Sequence, residues 1–286
     1  MLRDSLTQDS TISILTINVN GYRPYADRAL ILRQGIIDLQ PDLLSFQEAA
    51  YGPGGQHQIA ECLDGLGYQI DHQFDGIDNP PRCDGNCVAS HWPMERVALD
   101  PLPTTPRSGD YPVAALCETI HAPEPFGDFL FVNPKPNWQL HLEREREEQV
   151  IAIARLTEKY ADPNGFPPVV AADFDACPDN ASIRFMTGRQ SLDGHSTHFL
   201  DAWAIAGDGT PGYTWTSDNP FNSEIIARYT GEREHRRRID YIFVGSPFLF
   251  AKCVHVTSCK VVLDKPVNGL YASGHFGVYA EITCTE

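Results

Sequence analysis

Acidic and imidazole side chains stand at the borders of apolar segments in three places along this 286-residue chain. Asp173 follows the apolar run of residues 167–172, Asp240 lies within Arg-Ile-Asp-Tyr-Ile-Phe-Val, and His275 precedes Phe-Gly-Val. An unpaired charge inside a buried strand is unfavourable, so Asp240 requires a partner, and His275 is the candidate. Strand ends fix side chains while the adjoining loops leave room for substrate, which favours a site of metal-assisted hydrolysis.

Six short segments follow one another in an order that carries a resemblance to a known family. They are Leu15-Thr16-Ile17-Asn18-Val19, Asp42-Leu43-Leu44-Ser45-Phe46-Gln47-Glu48, Ala172-Asp173-Phe174-Asp175, Gly212-Tyr213-Thr214-Trp215, Arg238-Ile239-Asp240-Tyr241 and Ser273-Gly274-His275-Phe276. In this order they resemble the endonuclease/exonuclease/phosphatase superfamily, which includes deoxyribonuclease I, abasic-site endonucleases, neutral sphingomyelinases and inositol polyphosphate phosphatases. The match runs nearly end to end.

The resemblance implies a divalent-metal-dependent phosphoesterase, most simply a phosphodiesterase in which water attacks in line. Glu48 is implied to be the main metal ligand with Asn18 beside it, and such hard oxygen ligands suit Mg²⁺ or Mn²⁺. Asp173 is implied to orient or deprotonate the attacking water or to hold a second metal. His275 is implied to contact phosphate, with Asp240 fixing its ring and favouring its charged form.

Three positions depart from the family pattern. Asp175 stands where Asn is commoner, although Asp-Phe-Asp is usual in a bacterial branch, and an ionised Asp cannot donate a hydrogen bond. Gly274 replaces the Asp of a Ser-Asp-His motif, and Pro134 stands where the family has His. Lys135 is a candidate to supply the lost positive charge as a donor to phosphate.

Asn133, Lys135 and Arg238 are the candidate substrate-binding residues. Arg238 belongs to an Arg-Arg-Arg run, and the sequence leaves open whether these side chains face a cleft or form a solvated turn. Aromatic residues at strand ends are either core edges or platforms for a base or sugar; they are Trp138, Tyr213 and Trp215.

The charge and the apolar content of the chain limit the classes of substrate and partner that we expect. The chain carries 38 Asp and Glu against 22 Lys and Arg, which opposes broad binding to long duplex DNA and favours a small or single-stranded phosphoester. No apolar signal core or run long enough to span a bilayer occurs, so we expect a cytoplasmic protein without a membrane span. We expect one domain over 1–286, with 1–10 flexible; the oligomeric state is left open.

Periodicity predicts strands near 12–18, 42–46, 113–119, 128–132, 239–244, 254–263 and 276–282, with helices near 25–40, 56–66 and 141–156. The charged first turns of the third helix favour a solvated face, and 71–86 resembles a loop. Helices interleaved with many short strands indicate two packed sheets with helices outside. The resemblance implies the same α/β fold, a four-layer αββα sandwich of two mixed β-sheets.

Two alternatives to an active hydrolase stay open at this stage. Gly274 and Pro134 remove two catalytic groups, so the chain is alternatively a degenerate member that binds a phosphorylated ligand or a protein without turnover. Cys83, Cys87 and His91 have a spacing that would serve zinc, although no fourth ligand is evident.

Overall fold

The structure is a computed structural model that describes residues 11–21, 26–52, 56–77, 83–109 and 113–285. The expected flexibility of residues 1–10 lies outside these ranges. The helices are α1 Ala26–Leu39, α2 Gln58–Leu63, α3 Glu143–Tyr160, α4 Ala181–Met186, α5 Ala202–Ala206 and α6 Pro220–Thr230. The strands are β1 Thr11–Asn18, β2 Leu43–Gly52, β3 Gln56–His57, β4 Gln69–His72, β5 Cys83–Ser90, β6 Met94–Pro101, β7 Ala114–His121, β8 Asp128–Pro134, β9 Val169–Asp173, β10 Phe199–Asp201, β11 Trp215–Thr216, β12 Arg236–Arg237, β13 Asp240–Gly245, β14 Cys253–Val262 and β15 Gly277–Thr285.

Two mixed sheets form the centre of the fold. The first has the order β14-β15-β1-β2-β5-β4, with β3 beside β2, and the second has the order β10-β13-β9-β8-β7-β6. Strands β1 and β2 are parallel, as are β8 and β9, and the remaining neighbours in both sheets are antiparallel. Strands β11 and β12 form a separate antiparallel pair.

Consecutive apolar residues explain why both faces of the first sheet are covered. Ile14 and Leu43 point inward and contact residues of the second sheet such as Phe131 in one core. Their neighbours, among them Leu15 and Leu44, point outward into a core under α1 and α2, because successive strand residues face opposite sides. A third core lies between the second sheet and helices α3 and α4. The predicted αββα sandwich is confirmed.

Several elements differ from the sequence-based prediction. The region 71–86, expected to be a loop, includes the end of β4 and the start of β5, which pairs with β2, whereas residues 78–82 lie outside the described ranges. The charged start of α3 is not a solvated face, since Glu145, Arg146 and Gln149 are buried. The periodicity also missed β6, α5 and α6.

The zinc alternative does not fit the strand geometry. Cys83 and Cys87 lie four residues apart on β5, and at about 3.3 Å per residue this places them roughly 13 Å apart. His91 stacks on Tyr68, with ring centroids 3.8 Å apart. Among the described residues, no helix is both long enough and apolar enough to cross a bilayer.

Candidate active site

Strand register places two predicted site carboxylates side by side. Asp173 ends β9 and Asp240 begins β13, and the two residues are cross-strand partners in the antiparallel pair. The backbone amides of Ile239 and Asp240 donate to Thr214 Oγ1 at 3.1 and 3.3 Å, which fixes the start of β13. Thr214 is therefore a supporting residue whose motif, Gly-Tyr-Thr-Trp, the sequence had singled out without a role.

Asp240 and His275 form the expected buried pair. His275 Nδ1 lies 3.1 Å and 3.3 Å from the two carboxylate oxygens of Asp240. Burial disfavours the imidazolium, but Asp240 and then Asp173 outweigh it and raise the pKa of His275 to about 9. Burial raises the pKa of Asp240 to about 6, and the positive charge of His275 opposes that shift. The pair is thus charged on both sides near neutral pH.

Glu48 reaches the site because β2 contains an irregularity. The pairing of β2 with β5 shifts register between Phe46 and Ala49, and Glu48 adopts a φ of 53°. Such a bulge turns a side chain away from the regular alternation of the strand. The Gly21 backbone amide donates to the Glu48 carbonyl at 2.7 Å, which ties the bulge to the loop after β1.

Asn18 connects the acids of the two sheets. Its Nδ2 donates to Glu48 Oε1 and to Asp173 Oδ2, each at 2.9 Å, and its Oδ1 accepts from the Asn20 amide at 3.0 Å. With two carboxylates facing the amide nitrogen, the hydrogen bonds define the orientation of the side chain. This geometry supports an orienting role for Asn18, and its direct contact with a metal stays a prediction.

Lys135 lies between Asp173 and Asp175. Its Nζ is 3.0 Å from Asp173 Oδ2 and also contacts Asp175 Oδ2, and the side chain is 1% exposed. Asp173 Oδ1 accepts from the Asp175 amide at 2.9 Å. Burial raises the pKa of Asp173, but Lys135 and then His275 prevail and lower it to about 2. Lys135 therefore stabilises an ionised Asp173 from within the protein.

The formal charges of the titratable groups around the site nearly cancel. The acids are Glu48, Asp173, Asp175 and Asp240, and the cations are Lys135, Arg237 and His275. At these formal charges the site carries one net negative charge. A divalent cation and a singly charged anionic substrate together would bring this net charge to zero.

A cleft of about 200 Å³ opens above these groups. Its polar lining is formed by Asn20, Glu48, Asp175, Asn222, Arg237 and His275. The remaining lining residues are aromatic or apolar: Trp138, Leu140, Trp215, Ile225 and Tyr229. Trp138 and Trp215 are thus in the cleft as the stacking hypothesis required, whereas Tyr213 lines a different cavity.

The arginine that reaches the cleft is Arg237. Its Nη2 donates to the Asp175 carbonyl at 2.7 Å, and its guanidinium lies near the cleft wall. Arg238, the predicted substrate-binding residue, instead forms a buried two-point ion pair with Asp201 at 3.1 and 2.8 Å. Residues 237 and 238 point to opposite sides because they are neighbours in extended backbone, and nothing in the sequence indicates which of the two faces the cleft.

Asn133 is also away from the cleft. Its Nδ2 donates to the carbonyls of Phe46 and Cys87 at 2.9 and 3.0 Å, and its Oδ1 accepts from Gln47 Nε2 at 3.0 Å. The side chain is fully buried and all its groups are engaged between the sheets. We therefore assign Asn133 a structural position rather than the predicted contact with substrate.

Gly274 leaves space that neighbouring asparagines fill. A Cβ at this glycine would lie 2.3 Å from Asn20 Oδ1 and 2.7 Å from Asn222 Oδ1. The Gly274 amide donates to the same Asn20 oxygen at 2.7 Å. Gly274 does not have a positive φ, so close packing, not backbone strain, explains the small residue.

Residues missed by the sequence reading come mainly from α6 and from the loop after β1. Asn222, Ile225 and Tyr229 lie on α6, whose start has a recognisable signal: Asn219 accepts from the Phe221 amide, and proline follows it. Asn20 has a φ of 50°, a conformation for which Asn is one of the enriched residues. These signals identify turns and caps but do not point to a cleft.

The donor set fits a divalent ion at Glu48 better than at the buried cluster. Asp173, Asp240 and His275 have ligand-capable atoms within 4.8 Å of one another. However, the raised pKa of His275 keeps its ring protonated, and a protonated imidazole cannot bind a metal. Glu48 is partly exposed at the cleft and is a hard oxygen donor of the kind that Mg²⁺ and Mn²⁺ prefer.

The chain belongs to the Endonuclease/Exonuclease/phosphatase family, whose sequence profile matches residues 15–269. A search of curated protein sequences finds no match.

Solved structures share the fold. D. rerio TDP2, crystallised with a single-strand DNA product, aligns with a TM-score of 0.70 and 18% identity over 96% of this chain and 100% of that one. The human Nocturnin catalytic domain with bound sulfate aligns with a TM-score of 0.65 and 19% identity, over 96% of this chain and 94% of that one. An endonuclease/exonuclease/phosphatase from Bacteroides vulgatus aligns with a TM-score of 0.68 and 18% identity, over 96% of this chain and 100% of that one.

Proposed function

We propose that this protein is a divalent-metal-dependent phosphodiesterase that hydrolyses a small or nucleic-acid-derived phosphoester by in-line attack of water. The observation that carries the proposal is the convergence of Glu48, the Asp173–Asp175 segment and the Asp240–His275 pair around one cleft. Membership of the family supports hydrolysis of a phosphoester. The single-strand DNA product bound to D. rerio TDP2 supports a nucleic-acid-derived substrate as one option.

Glu48 would hold the metal, with Asn18 fixing the carboxylate through its amide nitrogen. A bound Mg²⁺ or Mn²⁺ supplies neutralisation of the charge that develops on the phosphoryl oxygens. The ion pair with Asp240 holds His275 as a positively charged donor at the cleft, suited to a phosphoryl oxygen. Arg237 adds a second positive group on the cleft wall.

Asp173 is better suited to orienting water than to deprotonating it. A general base works best when its pKa lies near the operating pH, and the pKa of Asp173 is about 2. The ionised carboxylate is also held rigidly by Asn18, Lys135 and the backbone after it. Asp175 lines the cleft itself and carries negative charge where an Asn would donate a hydrogen bond.

A second candidate function is binding of a phosphorylated ligand without turnover. It is favoured by Gly274, whose space is filled by Asn20 and Asn222, and by Pro134, where no imidazole is present. Losing one general acid–base group commonly slows a reaction about 10²-fold or more. A slow hydrolase and a protein that only binds the ligand would have the same structure, so a measurement of hydrolysis is needed to distinguish them.

The test compares the parent protein with Glu48→Gln and with Glu158→Gln, a matched change at an exposed position on α3. Calorimetry measures Mg²⁺ and Mn²⁺ binding, and hydrolysis of bis(p-nitrophenyl) phosphate measures turnover. We expect Glu48→Gln to weaken ion binding at least tenfold and to lower hydrolysis about 10²-fold or more, because a hard ligand is lost. Unchanged ion affinity in this variant would refute the metal assignment, and a parent that binds the ion without hydrolysis would favour the binding role.

A further inference from the structure

We propose that Lys135 is a resident cation in the place where a second divalent ion would otherwise sit, so that the site takes one metal ion and not two. This inference rests on the proposed function and deepens it. Lys135 is in this sense a positioning residue, which acts through Asp173 and Asp175 and not on the substrate.

The Lys135 ammonium lies between two carboxylates. It is 3.0 Å from Asp173 Oδ2 and contacts Asp175 Oδ2, so it bridges the two carboxylates that would ligate a second ion placed there. The Asp173 oxygens have other partners too, Asn18 Nδ2 on Oδ2 and the Asp175 amide on Oδ1. A divalent ion between these carboxylates would be placed directly beside the ammonium.

The Lys135 side chain is also shielded from water. Lys135 is 1% exposed, which also explains why it does not serve as the direct phosphate donor that the sequence predicted. Two like charges in contact repel each other far more strongly in a dry site than in water. A second ion could therefore bind only if Lys135 left its buried position, where removing a partner from an ion pair is strongly unfavourable.

The formal charges around the site also favour a single divalent ion. The four acids exceed the three cations by one, so one divalent ion and one phosphodiester anion bring the site to neutrality. A second divalent ion would leave two uncompensated positive charges. The contact between Lys135 and Asp175 also relates two departures from the family pattern. Lys135 follows the Pro134 that stands in place of His, and Asp175 stands in place of Asn.

The test counts bound ions by electron paramagnetic resonance of Mn²⁺ and by calorimetry in four proteins. These are the parent, Lys135→Met, the double variant Lys135→Met/Asp175→Asn, and Lys260→Met as a control at an exposed lysine. Methionine keeps the unbranched shape of the side chain and removes the charge. We expect one ion in the parent and in the control, two in Lys135→Met, and one again in the double variant, which lacks a carboxylate of the second site.

The outcomes separate the two proposals. A parent that binds no divalent ion overturns the proposed function, whereas a parent that binds two ions overturns only the role of Lys135. One ion in a folded Lys135→Met also overturns it. If Lys135→Met does not fold, the Asp175→Asn variant provides the test. Because Asp175 contacts Lys135 and is not a ligand of the single ion in this proposal, the variant should retain that ion with less than a tenfold change in affinity. Loss of the ion in Asp175→Asn would contradict the inference.

Discussion

At the scale of single residues, the Asp240–His275 pair is the feature from which most chemical behaviour follows. Both side chains are buried, and each shifts the other toward its charged form. The folded-state pKa of His275 is raised from 6.5 to about 9. Its contribution to stability is therefore fully present below pH 6.5 and is lost as the pH rises through about 9.

We predict that NMR titration of the His275 ring gives a pKa near 9 in the parent and a lower value in Asp240→Asn, because the main group that favours the imidazolium is removed. The matched control is Asp128→Asn at an exposed residue of β8, which should leave the His275 titration unaltered. An unaltered His275 titration in Asp240→Asn would show that the two groups are not coupled.

The same pair should behave as one unit in catalysis. We expect His275→Ala and Asp240→Asn to lower kcat/KM by similar factors and the double variant to be little worse than either, as for groups that act together. Rates with bis(p-nitrophenyl) phosphate over a pH series measure this. Losses that multiply would assign the two residues independent roles.

Gly274 gives a prediction on packing. Gly274→Asp restores the family residue but forces a Cβ against Asn20 and Asn222, so we expect it to destabilise the fold by about 1–3 kcal/mol. Asn20→Gly should relieve most of this loss in the double variant, because Asn20 has the positive φ that glycine adopts readily. Urea unfolding of the two single variants and the double variant measures the effect. Equal stability of Gly274→Asp and the parent would show that the asparagines move at little cost.

At the scale of elements, helix α3 positions part of the aromatic wall. Arg146 is almost fully buried and donates to the carbonyls of Asn137 and Gln139 at 2.9 and 2.8 Å. Trp138 and Leu140, which line the cleft, belong to this segment. A run of charges that resembled a solvated face therefore holds in place the segment that carries Trp138 and Leu140.

We predict that Arg146→Met lowers the free energy of unfolding by roughly 3 kcal/mol, since buried carbonyls and the Glu143 carboxylate lose their partner. KM should rise because Trp138 is no longer fixed. The control is Arg144→Met, whose side chain is 60% exposed in surface ion pairs and should cost less than about 1 kcal/mol. Similar losses in the two variants would show that Arg146 contributes no more than a surface charge.

At the scale of the whole molecule, the formal net charge of −16 opposes polyanions while the cleft itself is nearly neutral. The cleft volume of about 200 Å³ also favours a small group over a duplex. These two features support the small phosphoester of the proposed function, an aromatic part of which would lie beside Trp138 and Tyr229.

We predict a higher kcat/KM for a dinucleotide than for a 20-base-pair duplex, with the difference largest at low salt, where repulsion of the duplex is least screened. Assays at about 20 and 200 mM salt with both substrates test this. A preference for duplex that strengthens at low salt would show a local basic surface that dominates the net charge.

Local patterns in the sequence were sufficient to predict the fold class and to select the candidate acidic residues. Apolar runs predicted buried strands, and the six ordered segments predicted Asp173, Asp240 and His275 at or beside strand ends. Glu48, predicted just past the end of its strand, instead lies within β2 at the bulge. These features are local, because a two-residue period and a motif are both contained within a few residues.

Which side chains meet depends on contacts between segments that are distant in the sequence. Arg237 and not Arg238 faces the cleft, Lys135 contacts two carboxylates, and Asn133 is enclosed between the sheets. Each of these outcomes depends on a strand's register against a partner distant in sequence, and a shift of one residue would reverse the face that a side chain occupies. Neighbouring residues in the sequence carry no information about that choice.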